Sequence, residues 1–179
     1  MNFQENYLKS VQFEFHRYKT MGDKTFAQLS DEEILWKFKE TDNSISIIVK
    51  HMVGNMLSRW TNFLTEDGEK TWRNREMEFE GEYRSKTEMV VAWEKGWKCL
   101  FDALESIDTS NFEAKVHIRS EEHTIIEAVN RQLAHYASHV GQIAFVGRMI
   151  KGNDWVSLSI PKGGSADFNK KMFGSSNSA

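Results

Sequence analysis

Apolar residues recur at helical spacing in four stretches of the chain. From about Gln4 to Met21, Leu8, Val11, Phe15 and Tyr18 lie three, four and three residues apart and share one helix face. Gly22 follows as an expected stop. The second stretch, about Ser44 to Phe63, carries Ile45, Ile48, Met52 and Met56, widened by Ile47, Val49, Val53 and Leu57. A stripe that broad predicts a helix buried on more than one side. From about Lys86 to Ser106, the positions Val90, Trp93, Trp97, Leu100, Leu104 and Ile107 alternate steps of three and four, the seam of a bundle. The fourth stretch, about Ile125 to Lys151, keeps that rhythm through Val129, Leu133, Tyr136, Val140, Ile143, Gly147 and Ile150, with Gly152 at its expected end. Capping boxes are expected at Ser85/Glu88 and Thr124/Glu127, and Ser30 to Glu33 reads as the start of a short helical turn through Trp36.

Two stretches break this pattern. Phe112, Ala114, Val116 and Ile118 alternate with Glu113, Lys115 and His117, which predicts a short strand without an evident partner. Thr61 to Arg84 is a 24-residue connection rich in Glu, Arg, Lys and Trp and free of periodicity. Structureless connections of that length are uncommon and often functional. The predicted fold class is all-α, an antiparallel four-helix bundle with that long loop between helices two and three. One domain over residues 1–173 is expected, with a small polar tail, 174–179, that frays.

Composition narrows the function classes. The chain has 179 residues, 40% of them hydrophobic, enough for a core without disulfides. Its one cysteine, Cys99, allows no internal bridge and suits a reducing cytoplasm. It lies off the third seam and reads as a small filler rather than a nucleophile. The one proline, Pro161, falls after the last long helix. No uniformly apolar stretch reaches 18 residues, and the first ten residues lack the apolar core of a signal peptide. A net charge of -3, from 23 basic and 26 acidic residues, gives no basic footprint. Neither nucleic acid nor membrane is therefore an expected partner.

The chemistry concentrates in histidines. His135 and His139 are about 40° apart on a helical wheel and one turn apart in height, so both imidazoles reach one point. They lie at the flank of the fourth seam, where a neighbouring helix can meet them and solvent can enter. His51 sits mid-helix among Val49, Lys50, Met52 and Val53, with Asn55 on its face. Burial penalises a charged imidazole, and a neutral one bound to a metal resolves the conflict. Three histidine ligands leave a fourth position for water or substrate, the pattern of a catalytic zinc site. The plain alternative is two helix-surface histidines and a hydrogen-bonded core histidine. Elsewhere His16 reads as a core-edge residue, and His117 and His123 as solvated.

Other polar residues carry two readings each. Arg73 and Arg75 could grip a carboxylate or phosphate as guanidinium forks, or pair with Glu76, Glu78 or Glu80 on a solvated loop. Glu69 is a candidate general base, and equally a partner in such pairs. Asn55 could orient His51 or hold a water, or fill a buried polar gap. Trp93 and Trp97 read as core.

The run Ile48-Val49-Lys50-His51-Met52-Val53-Gly54-Asn55-Met56-Leu57-Ser58-Arg59-Trp60 resembles the second helix of the DinB-like (YfiT-like) superfamily. Leu133-Ala134-His135-Tyr136-Ala137-Ser138-His139-Val140-Gly141-Gln142-Ile143 is similar to its last core helix, with the pattern His-x-x-x-His-x-Gly-Gln. The loop run Asp67 to Arg75, together with Leu158 to Gly163, resembles an uncharacterised branch. The resemblance implies up-down-down-up wiring, a frequent homodimer, and a divalent zinc, nickel or iron ion on His51, His135 and His139. It also implies a transferase or isomerase that uses low-molecular-weight thiols, while a metal with an open position suits a metal-dependent hydrolase or a thiol transferase. The competing expectations are a non-catalytic metal-braced dimer or small-ligand module, and a helical scaffold without metal.

Overall fold

The computed structural model describes residues 2–174. They are mostly helical: α1 (Phe3–Phe26), α2 (Ile45–Trp60), α3 (Lys86–Glu105), α4 (Ile125–Lys151) and α5 (Ser165–Gly174), with a hairpin of β1 (Lys115–Ile118) and β2 (Glu121–Thr124) before α4. Among these residues no helix is long and apolar enough to cross a membrane.

The four predicted helices form, each with a cap. Thr124 Oγ1 accepts from the Glu127 N–H at 3.2 Å while the Glu127 carboxylate accepts from the Thr124 N–H at 2.8 Å. The Ser30/Glu33 box is also reciprocal and opens a 3-10 turn at Glu33–Leu35. At α3 only half the box forms, because the Glu88 carboxylate takes the Arg84 N–H instead.

One aromatic ring from each long helix meets at the centre. Phe15 of α1 stands 6.3 Å from both Trp60 of α2 and Trp97 of α3 and 6.1 Å from Tyr136 of α4. All four are buried. The contacts with Trp60 and Trp97 are edge-to-face, an arrangement that adds about 0.5–1.5 kcal/mol each beyond burial. Tyr136 also carries polar register. Its hydroxyl donates to Asn55 Oδ1 at 2.8 Å and accepts from Trp60 Nε1 at 3.1 Å. These bonds fix the height of α4 against α2, and with it the height of the histidines on both.

Several expectations need correction. Gly22 does not stop α1, which continues to Phe26. The glycine instead admits Trp93: a Cβ there would stand 2.5 Å from Trp93 Cζ2. Trp93 is buried and its indole N–H donates to Asp23 at 2.8 Å, so it cannot yield freely. Gly22→Ala should therefore lower stability by about 1–2 kcal/mol, overpacking outweighing the helix-propensity gain of about 1 kcal/mol; a urea melt reads it. Helix α2 ends at Trp60 rather than Phe63. The short strand has a partner, since Lys115 to Ile118 pairs antiparallel with Glu121 to Thr124. Its two-residue turn, Arg119 and Ser120, has φ of 56° and 63° without glycine, and so carries no ordinary turn signal. Helix α5 was not expected. Of the tail expected to fray, Gly174 closes α5 and residues 175–179 lie outside the described residues.

The long connection is not structureless. Polar side chains of α2, buried with the helix, bind its backbone. Ser46 Oγ accepts from the Tyr83 N–H at 2.9 Å. Ser58 Oγ donates to the Gly68 carbonyl at 2.8 Å and accepts from the Lys70 N–H at 3.1 Å. Asp67 extends the tie to the hairpin, accepting from the Arg119 and Ser120 N–H groups at 2.9 and 2.7 Å. The segment is thus laid along α2 and brings its charged residues to the histidine face.

Candidate metal centre

His51 on α2 and His135 and His139 on α4 converge as the spacing predicts. Their ligand atoms all lie within 4.8 Å of one another. His135 Nε2 is 3.4 Å from His51 Nε2 and 3.0 Å from His139 Nε2. Nitrogens bound tetrahedrally to zinc stand about 3.3 Å apart, from bonds of about 2.0–2.1 Å, so the spacing fits one shared ion.

The tautomers fit as well. His51 Nδ1 lies 2.9 Å from Glu78 Oε2. A carboxylate only accepts, so Nδ1 carries the hydrogen, and in the neutral ring it is Nε2 that turns its lone pair inward. His139 Nδ1 donates to Gln142 Oε1 at 3.0 Å, with the same result. Outer acceptors of this kind orient histidine ligands and raise their basicity. Burial, with the His139 and His51 rings adding, pushes the His135 pKa down to about 3. Burial also lowers that of His139, against its bond to Gln142. Both are thus held in the neutral form a metal requires.

Glu78 is the residue sequence reasoning placed only among loop ion pairs. It is buried, and burial would raise its carboxyl pKa, yet hydrogen bonds from His51 and Arg73 hold it below the usual range. Arg73, with a side chain 2% exposed, grips it by two bonds of 2.7 and 2.9 Å. Gly54, one turn from His51, gives it room: a Cβ there would stand 2.2 Å from Glu78 Oε1. Phe79 stacks on the His51 ring at 5.0 Å. No local periodicity announces Glu78; its role comes from the loop lying on α2. Gln142 was visible in the quoted helix pattern, without a role.

The weaker candidates separate. Asn55 is buried, faces the same cavity as His51 and His135, and has its oxygen engaged by Tyr136. Glu69 is held by Arg59 at 3.1 Å, Arg119 at 3.2 Å and Arg73 at 3.6 Å. His16 stacks on Phe101 at 3.9 Å. His117 is exposed, as expected, but His123 is half-buried with Nε2 unpartnered. Cys99 is half-buried, its sulfur 3.6 Å from Thr61 Oγ1.

Fold and cluster together define a mostly helical protein with three imidazoles poised to share an ion. A family model described as "Protein of unknown function (DUF1572)" matches residues 2–164, and the chain belongs to that family, within the DinB/YfiT-like superfamily. No curated protein and no solved structure matches it.

Proposed function

We propose that the chain is a DinB-like four-helix bundle, one domain over residues 1–173, that holds a divalent zinc, nickel or iron ion on His51, His135 and His139 and uses it in catalysis. Contact order supports the wiring. Thr61 meets Cys99 just beyond Met56 and Gly96, so α2 and α3 run parallel. Tyr7 meets Asn130 and Gln28 meets Val156, so α1 and α4 do too. His51 faces His139 and His135 while Asn55 and Trp60 face Tyr136, so α2 and α4 run antiparallel.

The observation that carries the metal reading is the pair of inward lone pairs that Glu78 and Gln142 fix on His51 and His139. In a site without an ion, His135 Nε2 could offer a hydrogen to only one of them. When bound, such an ion acts as a Lewis acid and lowers the pKa of water or a thiol in its remaining position. The chain's own residues favour thiol transfer over hydrolysis. Glu69 and Glu78 are both committed to arginines, which leaves neither free as a general base. A thiol, with a pKa of about 8.5, asks for far less activation than water. With its oxygen held by Tyr136, Asn55 keeps its amide NH2 for a ligand.

Protein purified without a histidine tag should carry close to one divalent ion per chain, with anomalous scattering at the three imidazoles. Conjugation of a small thiol to an electrophile, lost on chelation, is the expected activity. An ion-free protein that takes up none of the three metals would overturn the reading. An ion that raises thermal stability without thiol or hydrolytic turnover would leave a metal-braced module.

A further inference from the structure

Beside the imidazoles lies a cavity of about 190 Å³ lined by five arginines, Arg59, Arg73, Arg75, Arg119 and Arg131, with Asn55, Gln132, His51 and His135. Four parts of the chain build it. Arg59 stands two turns beyond His51 on α2, and Arg131 and Gln132 one turn before His135 on α4. Arg73 and Arg75 come from the connection laid on α2, and Arg119 from the hairpin turn that Asp67 holds.

Charge there is under-compensated. A single carboxylate oxygen, Glu69 Oε2, is shared by Arg59, Arg73 and Arg119. Glu78 serves Arg73 and His51. Among the described residues Arg75 pairs only with the exposed Glu76, at 3.9 Å, and its guanidinium lies over Phe79, the ring that stacks on His51. Arg131 is exposed, with no ion pair among the described residues. With Asp67, whose charge also acts on Arg59, five guanidinium groups thus face four carboxylates among the described residues, and one of these, Glu78, also serves His51. Two buried atoms of the lining also lack partners: Nε of Arg59, a residue 6% exposed, and Oε1 of Gln132, 4% exposed. A buried donor without an acceptor is costly, so the Arg59 Nε–H adds to the positive character of this wall, whereas Gln132 Oε1, itself an acceptor, calls for a donor.

We propose that this cavity is an anion subsite taking a dianionic group, a phosphate monoester or a dicarboxylate, of a small substrate whose remainder reaches over the three imidazoles. Guanidinium forks match both groups bidentately. The volume suits one such group and a few further atoms; drug-sized ligands occupy about 300–1,000 Å³. Asn55 and Gln132 supply neutral polar contacts at the border with the histidines. That the anion anchors a substrate rests on the metal reading above; the subsite itself does not.

The test titrates the untagged full chain, ion-loaded and chelated, with inorganic phosphate and separately with succinate, at fixed ionic strength and with acetate as the monoanion control. Calorimetry should show saturable binding of phosphate or succinate and none of acetate, and the tighter of the two names the substrate's group. Arg75→Ala and Arg131→Ala, both at exposed positions, should each weaken binding roughly tenfold or more, while ion content stays at the wild-type value. Equal binding in wild type and both variants overturns the subsite, since the anion then sits on the ion alone; so does no binding at all. Failure of the metal reading appears separately, as absence of an ion in metal analysis. Arginine-dependent binding by the chelated protein would still support the subsite.

Discussion

His135→Ala is expected to lose the ion while leaving the chelated protein almost as stable as before. Without an ion, His135 is an awkward occupant. Its Nε2 faces two bare nitrogens at 3.4 and 3.0 Å, and its pKa is pushed down to about 3 by burial and those neighbours. Truncating a half-buried ring of that kind should change ion-free stability by no more than about 1 kcal/mol. The ion-loaded wild type is different. Ligand at about a thousand times its dissociation constant stabilises the native state by about 4 kcal/mol. In a chain of this size that corresponds to about 8–16 °C in Tm. Wild type should therefore melt about 10 °C lower in chelator, and the variant should melt alike with and without it. A variant that loses several kcal/mol even in chelator would make His135 an ordinary packing group and overturn the metal reading.

What was legible in the sequence follows from what each feature depends on. The seams of α3 and α4 were readable because a helix packed along one stripe must repeat it: Trp93, Trp97, Leu100 and Leu104, and Val129, Tyr136, Val140 and Ile143, are all buried. The pairing of His135 with His139 was readable for the same reason, since four residues is one turn. His51 required that α2 face α4, which the resemblance implied and the Tyr136–Asn55 bond now accounts for. Three features were hidden because they depend on distant chain. Gly22 looks like a stop in isolation, and only Trp93 of α3 makes it a close-packing site. The hairpin turn at Arg119 and Ser120 has no glycine, and its φ values are supported from outside by Asp67. Glu78 lies in a stretch without period, placed by serines of α2 that bind loop backbone. The arginines were equally visible as letters and equally opaque as a group, because four separate parts of the chain deliver them to one cavity.

Glu78→Gln should show the second large effect, on stability and on ion affinity together. The Arg73 side chain is almost fully enclosed, and Glu78 gives it two charge-assisted bonds; with that charge removed, Glu69 at 3.6 Å is the carboxylate left opposite it among the described residues. Breaking a buried pair on one side costs about 3–5 kcal/mol, and denaturant unfolding of the chelated protein should show a loss of that order. Losing the carboxylate behind His51 should also weaken the ion about 10–100-fold. The carboxylate can also be moved without removing its charge, at Gly54. Its Cβ in Gly54→Ala would meet Glu78 Oε1, the oxygen that bonds Arg73 Nε, at 2.2 Å and Cδ at 2.7 Å, so the whole carboxylate must shift, from Arg73 as well as from His51, while every ligand and every charge stays in the chain. A mid-helix alanine returns about 1 kcal/mol of helix propensity, so this variant should lose less stability than Glu78→Gln and yet bind the ion at least about tenfold more weakly. Competition with a chromogenic chelator reads that affinity directly. Unchanged affinity in Gly54→Ala would mean that Glu78 serves only Arg73, and that the His51 lone pair is not set by the carboxylate behind it.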